Sequence, residues 1–179
     1  MAEFVNDIEG TRKRAREHMS QGAVTGGYKA NREQVVKILN EVLATEILCT
    51  LRYKRHYFMA EGLNSEAVKQ EFLEHAKEEE SHADMVAERI TQLGGDPDFN
   101  PATITKRSHA QYVEGRSLRS MVEEDLVAER IAIETYSEIA RWLGTDDPTT
   151  RRVIEEILGK EEEHAEDMAT LLGRIPEQA

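Results

Sequence analysis

Two copies of a Glu-x-x-His motif constrain this chain more than any other feature of its sequence. Glu79 and His82 form the first copy, and Glu161 and His164 form the second, 82 positions further on. In a helix, residues three apart lie on one face about a turn apart, so each motif aims a carboxylate and an imidazole at the same point. Such a pair is typical of metal ligands on facing helices. The repeat predicts two helices that contribute to one polar site.

The motif alone is weak evidence, because the chain has 27 glutamates among 179 residues and the spacing arises readily by chance. Its surroundings strengthen it. Glu46 precedes Glu79 by 33 positions and Glu129 precedes Glu161 by 32, and each of these upstream glutamates lies within an apolar stripe of helical spacing. An unpaired buried carboxylate is unfavourable, so both are expected to meet a cation or to take up a proton. Four carboxylates and two histidines are therefore predicted to converge from four helices.

Helix start and stop signals bound the four predicted helices. The chain has only 4 prolines and 11 glycines, and 32% of its residues are charged, which favours helices with solvated outer faces. The predicted helices run from Asn31 to Glu61, from Ser65 to Gly94, from Arg116 to Leu143 and from Asp147 to Gly173. The sequence therefore predicts an all-α fold, in which two antiparallel hairpins joined by a long crossover form a four-helix bundle over residues 31–173.

The two ends of the chain are predicted to lie outside the bundle, as an N-terminal extension at 1–30 and a short C-terminal tail at 174–179. The first half of the extension is expected to form a short helix with a basic cluster from Arg12 to Arg16. That cluster suits DNA or a neighbouring subunit, but nearby acidic residues nearly cancel its charge. A mobile tail is the favoured interpretation.

Composition narrows the classes of partner. The net charge of -12 argues against binding nucleic acid or an anionic membrane through the bulk surface, and it is compatible with attracting cations. A single cysteine, Cys49, excludes an internal disulfide and a cysteine-rich zinc site. No apolar run approaches the roughly 18 residues of a membrane-spanning helix. A reducing, cytoplasmic setting is the expectation.

Two divalent metal ions need about four negative charges and additional neutral donors, and the converging residues supply that set. In ligand type, order and spacing, residues 31–173 resemble the ferritin-like di-iron carboxylate proteins, most closely the bacterioferritins. The resemblance implies two iron ions in each subunit, with manganese or zinc as possible substitutes. It implies six metal ligands, namely Glu46, Glu79, His82, Glu129, Glu161 and His164. By the same resemblance, Glu46 and His82 hold one ion, Glu129 and His164 hold the other, and the two motif glutamates bridge them.

Other residues near the motifs have weaker assignments. Tyr53, seven residues after Glu46, matches a tyrosine that in bacterioferritins lies beside the centre and can donate an electron, although a core aromatic remains an equal alternative. His75 stands one turn before Glu79. It is expected to be an ordinary surface or core histidine rather than an outer-shell or iron-entry group. The remaining motif-adjacent glutamates are expected to form a solvated face, namely Glu78, Glu80, Glu162 and Glu163.

Two departures limit the resemblance. Glu80 occupies the position at which bacterioferritins place their haem-binding methionine, so haem bound in that way is not expected. In addition, only a few residues follow Gly173, too few for the fifth helix of ferritins and bacterioferritins. In this respect the chain is similar to Dps-like mini-ferritins with a bacterioferritin-type centre, which form twelve-subunit shells. Twelve subunits are expected, with twenty-four as the alternative.

The expected function is that of a ferroxidase and iron-storage or detoxification protein, which oxidises Fe(II) to Fe(III) with O2 or H2O2 inside a hollow shell. One alternative is an enzyme that retains its metals, such as a di-metal peroxidase or oxidase or a dimanganese catalase. Another is a DNA-protecting, Dps-like binding protein. The ligand set serves each of these, so the residues alone leave storage and turnover open.

Overall fold

The computed structural model describes residues 6–61 and 65–176, and in those residues the chain is helical without strands. A single 3-10 turn at 19–21 follows the first helix. The α-helices in this part of the chain are α1 (Ile8–Arg14), α2 (Arg32–Met59), α3 (Ser65–Gln92), α4 (Ile104–Arg107), α5 (Leu118–Leu143) and α6 (Pro148–Arg174). The all-α prediction is confirmed.

The four long helices form two hairpins that pack into one bundle. Helix α2 packs along α3, and α5 packs along α6, while α3–α6 and α2–α5 contacts join the two hairpins. The residues from 93 to 117 connect α3 to α5, and α4 packs against α2 on the way. The predicted pair of hairpins with a long crossover is thus the observed four-helix bundle.

Capping side chains set the helix starts close to the predicted positions. Asn31 accepts a hydrogen bond from the Gln34 amide, and Asp147 accepts one from the Thr150 amide ahead of Pro148. Helix α5 begins at Leu118, two residues later than predicted, because Ser117 caps it. After α5, Gly144 adopts a φ of 50°, which glycine tolerates better than other residues.

Some predicted helix ends differ from the structure. Helix α2 ends at Met59, and the predicted stop at Gly62 lies outside the described residues. Helix α6 continues through Gly173 to Arg174, because the backbone there remains helical until Ile175 becomes extended. A turn predicted at Ser108 to Tyr112 is instead the short helix α4, four residues upstream.

Two apolar clusters lie on either side of the middle of the bundle. One includes Leu39, Val86, Ile139 and Ile154, and the other includes Phe72, Val122 and Met168, all of them buried. Between these clusters each long helix carries buried polar side chains, alongside apolar ones such as Leu48 and Ala128. Burial of the apolar ends therefore stabilises the bundle around a polar middle layer.

A buried ion network ties α2 to α5 near this layer. The Arg52 Nε donates to Asp125 Oδ1 at 2.7 Å, and His56 Nδ1 lies 2.8 Å from Asp125 Oδ2. The other His56 ring nitrogen lies 2.9 Å from the backbone oxygen of Glu114. A charged pair out of water needs such additional hydrogen bonds, and here they also fix the end of the α4–α5 connection.

Part of the N-terminal extension docks onto the bundle. Val24 joins the cluster that contains Leu39, and the Tyr28 hydroxyl donates to Asp147 Oδ2 at 2.8 Å. Arg89 also donates to Asp147, at 3.1 Å. The expected mobile tail is therefore wrong for the region around Val24 and Tyr28, whereas the predicted short helix is present as α1.

None of the helices in the described part of the chain is both long enough and apolar enough to cross a membrane.

Candidate metal centre

The structure brings all six predicted ligands together in the polar middle layer. Each is 5% exposed or less, although all six are ionisable. They are Glu46 from α2, Glu79 and His82 from α3, Glu129 from α5, and Glu161 and His164 from α6. Each hairpin thus contributes two carboxylates and one imidazole.

The six residues divide into two overlapping sets of four. Within each set, one ligand atom per residue lies within 4.8 Å of all the others. The first set comprises Glu46, Glu79, His82 and Glu161. The second set comprises Glu79, Glu129, Glu161 and His164. Because Glu79 and Glu161 belong to both sets, they stand where carboxylates would bridge two ions.

His82 turns its Nδ1 towards the centre. This nitrogen lies 3.0 Å from Glu161 Oε1, 3.2 Å from Glu46 Oε2 and 3.7 Å from Glu79 Oε2. Three carboxylate oxygens therefore surround one imidazole nitrogen, at separations that suit ligands of a common cation.

His164 has the matching orientation in the second set. Its Nδ1 lies 3.5 Å from Glu79 Oε1, 3.7 Å from Glu161 Oε2 and 3.9 Å from Glu129 Oε2. Its other nitrogen, Nε2, lies 2.7 Å from Glu78 Oε2. A carboxylate on the outer nitrogen orients an imidazole and makes its inner nitrogen a better ligand.

Several buried polar atoms of the centre have no hydrogen-bond partner among the described residues: Glu79 Oε1, Glu129 Oε2, Glu161 Oε1 and His164 Nδ1. Buried polar atoms are normally paired, because an unpaired one carries the full desolvation penalty. Divalent cations satisfy carboxylate oxygens and imidazole nitrogens without any donor hydrogen. The donor set of this centre therefore fits metal ions.

Burial and mutual repulsion favour the protonated form of two of the four carboxylates. Burial raises the pKa of Glu46 well above its usual range, and repulsion from Glu79 and Glu161 raises it further. Burial and the same two neighbours likewise raise the pKa of Glu129. These two carboxylates are the ones that belong to a single set each.

The pKa values of the two histidines are also raised, which for an imidazole favours the charged form. Burial by itself lowers the pKa of His82, but the carboxylates of Glu161, Glu46 and Glu79 around its ring raise that pKa to about 12. Burial also opposes the charged form of His164, and contacts with Glu161 and Glu79 raise its pKa to about 10. Four carboxylates in one dry layer thus attract protons, as they would attract cations.

Two tyrosines complete the layer and cross between the hairpins. Tyr53 of α2 donates its hydroxyl hydrogen bond to Glu129 of α5, and Tyr136 of α5 donates to Glu46 of α2. Both side chains are fully buried. The sequence predictions gave no role to Tyr136. Its position seven residues after Glu129, matching Tyr53 after Glu46, was the available signal.

The structure corrects one expectation for a neighbouring residue: Glu78, expected on a solvated face, is half-buried and contacts His164 from the other hairpin. His75, expected to be an ordinary surface or core histidine, lies in the core with 2% exposure and stacks on His164 with ring centroids 4.0 Å apart. Its Nδ1 lies 3.3 Å from the Tyr53 hydroxyl. Burial and the adjacent His164 lower the pKa of His75 to about 4.

The other motif-adjacent glutamates are on the surface, as predicted. Glu80 is exposed and pairs with Lys54 at 3.2 Å. Glu163 is exposed and pairs with Lys160 at 2.5 Å, and Glu162 is also exposed. These residues point away from the buried layer.

A four-helix bundle with a buried carboxylate and histidine layer defines the class of ferritin-like helical proteins. Residues 36–177 match the family described as Ferritin, Ferritin-like domain. The chain belongs to this family.

Individual relatives agree with this placement. A bacterioferritin-related protein from Bacteroides fragilis, described as a dodecameric thioferritin, is 32% identical, with a TM-score of 0.79 over 82% of this chain and 88% of that one. A nutrient stress-induced DNA-binding protein from Nostoc is 32% identical over 146 residues, covering 78% of each protein. A bacterioferritin from Desulfovibrio desulfuricans is 25% identical over 142 residues, covering 79% of this chain and 75% of the relative.

Proposed function

We propose that this protein is a ferroxidase that stores or detoxifies iron, with Fe(II) as its substrate. The observation that carries the proposal is the pair of buried, overlapping ligand sets that share Glu79 and Glu161. A single-ion site would not need two shared carboxylates flanked by two further carboxylate–imidazole pairs. The family of the chain includes relatives named for iron storage and for DNA protection, and the ligand layer favours the iron chemistry.

Each residue of the centre has a defined part in that proposal. Glu46 and His82 would hold one Fe(II), Glu129 and His164 would hold the other, and Glu79 and Glu161 would bridge them. Four carboxylates offset the charge of two divalent ions, and hard oxygen donors favour the ferric state over the ferrous one. Two Fe(II) ions would give two electrons either to O2, which takes up two protons and becomes H2O2, or to H2O2, which takes up two protons and becomes two water molecules.

Tyr53 is proposed as an auxiliary electron donor. Its ring is fully buried, and its hydroxyl donates to Glu129, so it touches a ligand without occupying a ligand position. Tyr53→Phe should leave metal binding intact while removing a tyrosyl radical signal that appears during aerobic Fe(II) oxidation. The same substitution at Tyr136 is the control. An unchanged radical signal in the Tyr53 variant would remove this role.

Storage also requires an enclosed space. A single bundle has a packed interior, so mineral must collect in a hollow homo-oligomer of closed symmetry. The relative from Bacteroides fragilis is described as dodecameric, which agrees with twelve subunits in preference to twenty-four. Light scattering on the purified protein should therefore give a mass near that of twelve chains of 20.4 kDa.

The main test combines iron oxidation with iron retention. Purified apoprotein should oxidise added Fe(II) under air much faster than buffer alone, and the sized particle should retain many more than two iron ions per chain. Fast oxidation with only two ions retained per chain would instead favour an enzyme that keeps its metals, such as a di-metal peroxidase or a catalase. A protein with no acceleration of iron oxidation would contradict the proposal.

DNA protection is the second candidate, because the Nostoc relative is named a DNA-binding protein. The basic residues of and after α1 are exposed, and they are Arg12, Lys13, Arg14 and Arg16. Arg12 is already paired with Glu9 at 2.8 Å, and the net charge is -12, so this candidate ranks below the ferroxidase. Retention of DNA by the intact protein, lost when Lys13, Arg14 and Arg16 become glutamine, would promote it.

A further inference from the structure

We propose that His75, Glu71 and Asp167 form a third divalent-cation site, separate from the two overlapping sets of the centre. The site lies where α3 and α6 approach the surface. It joins one buried imidazole to two carboxylates that solvent can reach. This inference concerns a site outside the six ligands assigned above, and it does not depend on whether the protein oxidises iron.

The hydrogen bonds around Tyr53 determine which nitrogen of His75 is free. The Tyr53 hydroxyl donates its only hydrogen to Glu129, so towards His75 its oxygen acts as an acceptor. His75 Nδ1, 3.3 Å from that oxygen, must therefore carry the ring hydrogen. In the neutral ring, Nε2 is then left with a lone pair and no hydrogen.

That lone pair faces acceptors and no donor. His75 Nε2 lies 3.9 Å from Glu71 Oε2 and 3.7 Å from Asp167 Oδ2, which is too far for hydrogen bonds. His75 Nε2 makes no hydrogen bond with any residue that the structure describes, although only 2% of the His75 side chain is exposed. A cation between the three groups would satisfy the nitrogen and both carboxylates, and all three ligand atoms lie within 4.8 Å of one another.

The surroundings favour a positive ion at this position. Burial raises the pKa of Glu71, and the nearby carboxylates of Asp167, Glu74 and Glu78 raise it further, so the negative charges crowd one another. The side chains of Glu71 and Asp167 are 40% and 57% exposed, which gives an ion a direct path from solvent. Bound there, an ion would also be linked through His75 and Tyr53 to Glu129.

The donor set indicates the class of ion. One imidazole with two carboxylates, completed by water, suits zinc, cobalt or ferrous ions better than calcium or magnesium, which prefer oxygen ligands alone. Three protein ligands with solvent in the remaining positions also permit exchange. The site is thus suited to hold a divalent transition-metal ion beside the buried centre and to release it.

The test counts Zn(II), which neither oxidises nor forms a mineral with air. Apoprotein is equilibrated with buffered Zn(II), and bound zinc per chain is measured for the wild type and for the double variant Glu71→Gln with Asp167→Asn. The matched control is Asp84→Asn with Glu162→Gln, which also removes one exposed carboxylate from each of α3 and α6. Because the comparison is a difference, zinc held loosely elsewhere on the acidic surface cancels.

The site variant should bind one zinc fewer per chain than the wild type, and the control should bind as many as the wild type. Equal zinc in the wild type and the site variant would overturn the proposal. So would an equal loss in the control, which would show an effect of surface charge alone. If the site variant loses all its zinc while circular dichroism shows the native helix content, the carboxylates support the main centre and there is no separate site.

Discussion

The α2–α3 and α5–α6 hairpins share one polar frame and differ at its edge. Each carries a glutamate, a tyrosine seven residues later, and a Glu-x-x-His motif on the second helix. The offset between the hairpins is 83 residues for the first helix, from Glu46 to Glu129, and 82 for the second, from Glu79 to Glu161. Within this frame the same side chains recur in the same roles.

Just outside the frame the correspondence fails. With the same offset, Ile157 occupies the place of His75, and Val153 occupies the place of Glu71. Ile157 is fully buried in the apolar cluster that contains Tyr136, and Val153 packs against that cluster. Asp167 corresponds to Met85, which also packs there.

The difference separates two requirements of such a centre. The repeated residues are those that two ions would need as ligands, so both hairpins must supply them. The residues that are not repeated control what surrounds the ligands. Tyr136 is packed among aliphatic side chains. Tyr53 instead contacts His75, which lies near the exposed carboxylates of Glu71 and Asp167. The Tyr53 side therefore differs from the Tyr136 side in having ionisable groups between the centre and the surface.

The largest expected effect tests the repeated frame. Glu79→Ala and Glu161→Ala should each abolish paired metal binding, because each residue belongs to both ligand sets. Since loss of an outer-shell partner alone weakens metal affinity roughly 10–100-fold, loss of a shared ligand should exceed about 100-fold. Metal titration followed by elemental analysis measures this.

The controls for this pair are Glu80→Ala and Glu162→Ala, which remove exposed glutamates one residue further along each helix. Both should keep the paired ions of the centre, like the wild type. If the two hairpins contribute equally to the centre, Glu79→Ala and Glu161→Ala should lose similar amounts of bound metal. Comparable binding by Glu79→Ala and Glu80→Ala would show that the assignment of the centre is wrong.

A second substitution tests an ion network that only one side possesses. Thr135 and Val42 stand at the positions that correspond to Arg52 and Asp125, so this buried pair has no counterpart. Asp125→Ala leaves Arg52 buried without its carboxylate partner, which typically destabilises a protein by about 3–5 kcal/mol.

Chemical denaturation of the apoprotein measures the loss at Asp125. Asp84→Ala is the control, because it removes an exposed aspartate from a bundle helix and should change the unfolding free energy by less than about 0.5 kcal/mol. An equally mild effect at both positions would mean that the network contributes nothing to stability.

The outer partner of His164 provides a sharper comparison. Glu78 contacts His164, whereas the corresponding Lys160 pairs with Glu163 on its own helix. Glu78→Gln should therefore weaken one of the two bound ions about 10–100-fold and leave the other unchanged. Lys160→Gln should affect neither. Stepwise titration with Co(II) resolves the two sites, and equal weakening of both ions by Glu78→Gln would argue against an orienting role.

The smallest effect is a pH dependence that should be similar for both ions. Without metal, His82 and His164 have raised pKa values of about 12 and 10, so both are protonated near neutral pH. A metal must displace at least one proton from each histidine, and the raised pKa values of Glu46 and Glu129 add to this release, so affinity should rise by at least about tenfold per pH unit for each ion. Titration calorimetry in buffers of different ionisation enthalpy measures the released protons. Affinity independent of pH would contradict metal binding by these histidines.

The stability of the apoprotein should change in the opposite direction. The pKa values of both histidines, Glu46 and Glu129 are raised on folding, so the folded state binds more protons than the unfolded state. Stability from the glutamates is greatest below their unfolded pKa and falls above it, and the histidine contribution falls as the pH rises towards 10. Metal should restore the lost stability.

The sequence predicted that the six side chains of the centre converge, because each position depends on the face of a single helix. Glu46, for example, could be placed by the apolar residues around it. Contacts between helices were harder to predict. Glu78 reaches His164, and His75 stacks on it, only because α3 and α6 pack with one particular rotation and axial offset. Periodicity within one helix does not determine that offset.

The docking of the N-terminal extension onto the bundle could not be predicted from sequence patterns either. Tyr28 meets Asp147, which lies 119 residues away, and no local signal marks either residue for the other. Tyr136 is a different case. The internal repeat placed it seven residues after Glu129, and a comparison of the two halves of the sequence would have indicated its role.

The two tyrosine hydrogen bonds cross between the hairpins, so neither hairpin supplies the tyrosine donor for its own glutamate. Tyr53 donates a hydrogen bond to a glutamate of the opposite hairpin, and Tyr136 does the same in the other direction. Because tyrosine and glutamate keep the same seven-residue interval in both, two identical hairpins related by a two-fold axis would satisfy the same exchange. Duplication and fusion of one ancestral hairpin would therefore preserve the crossing from the outset, and the edges of the two copies would be free to diverge.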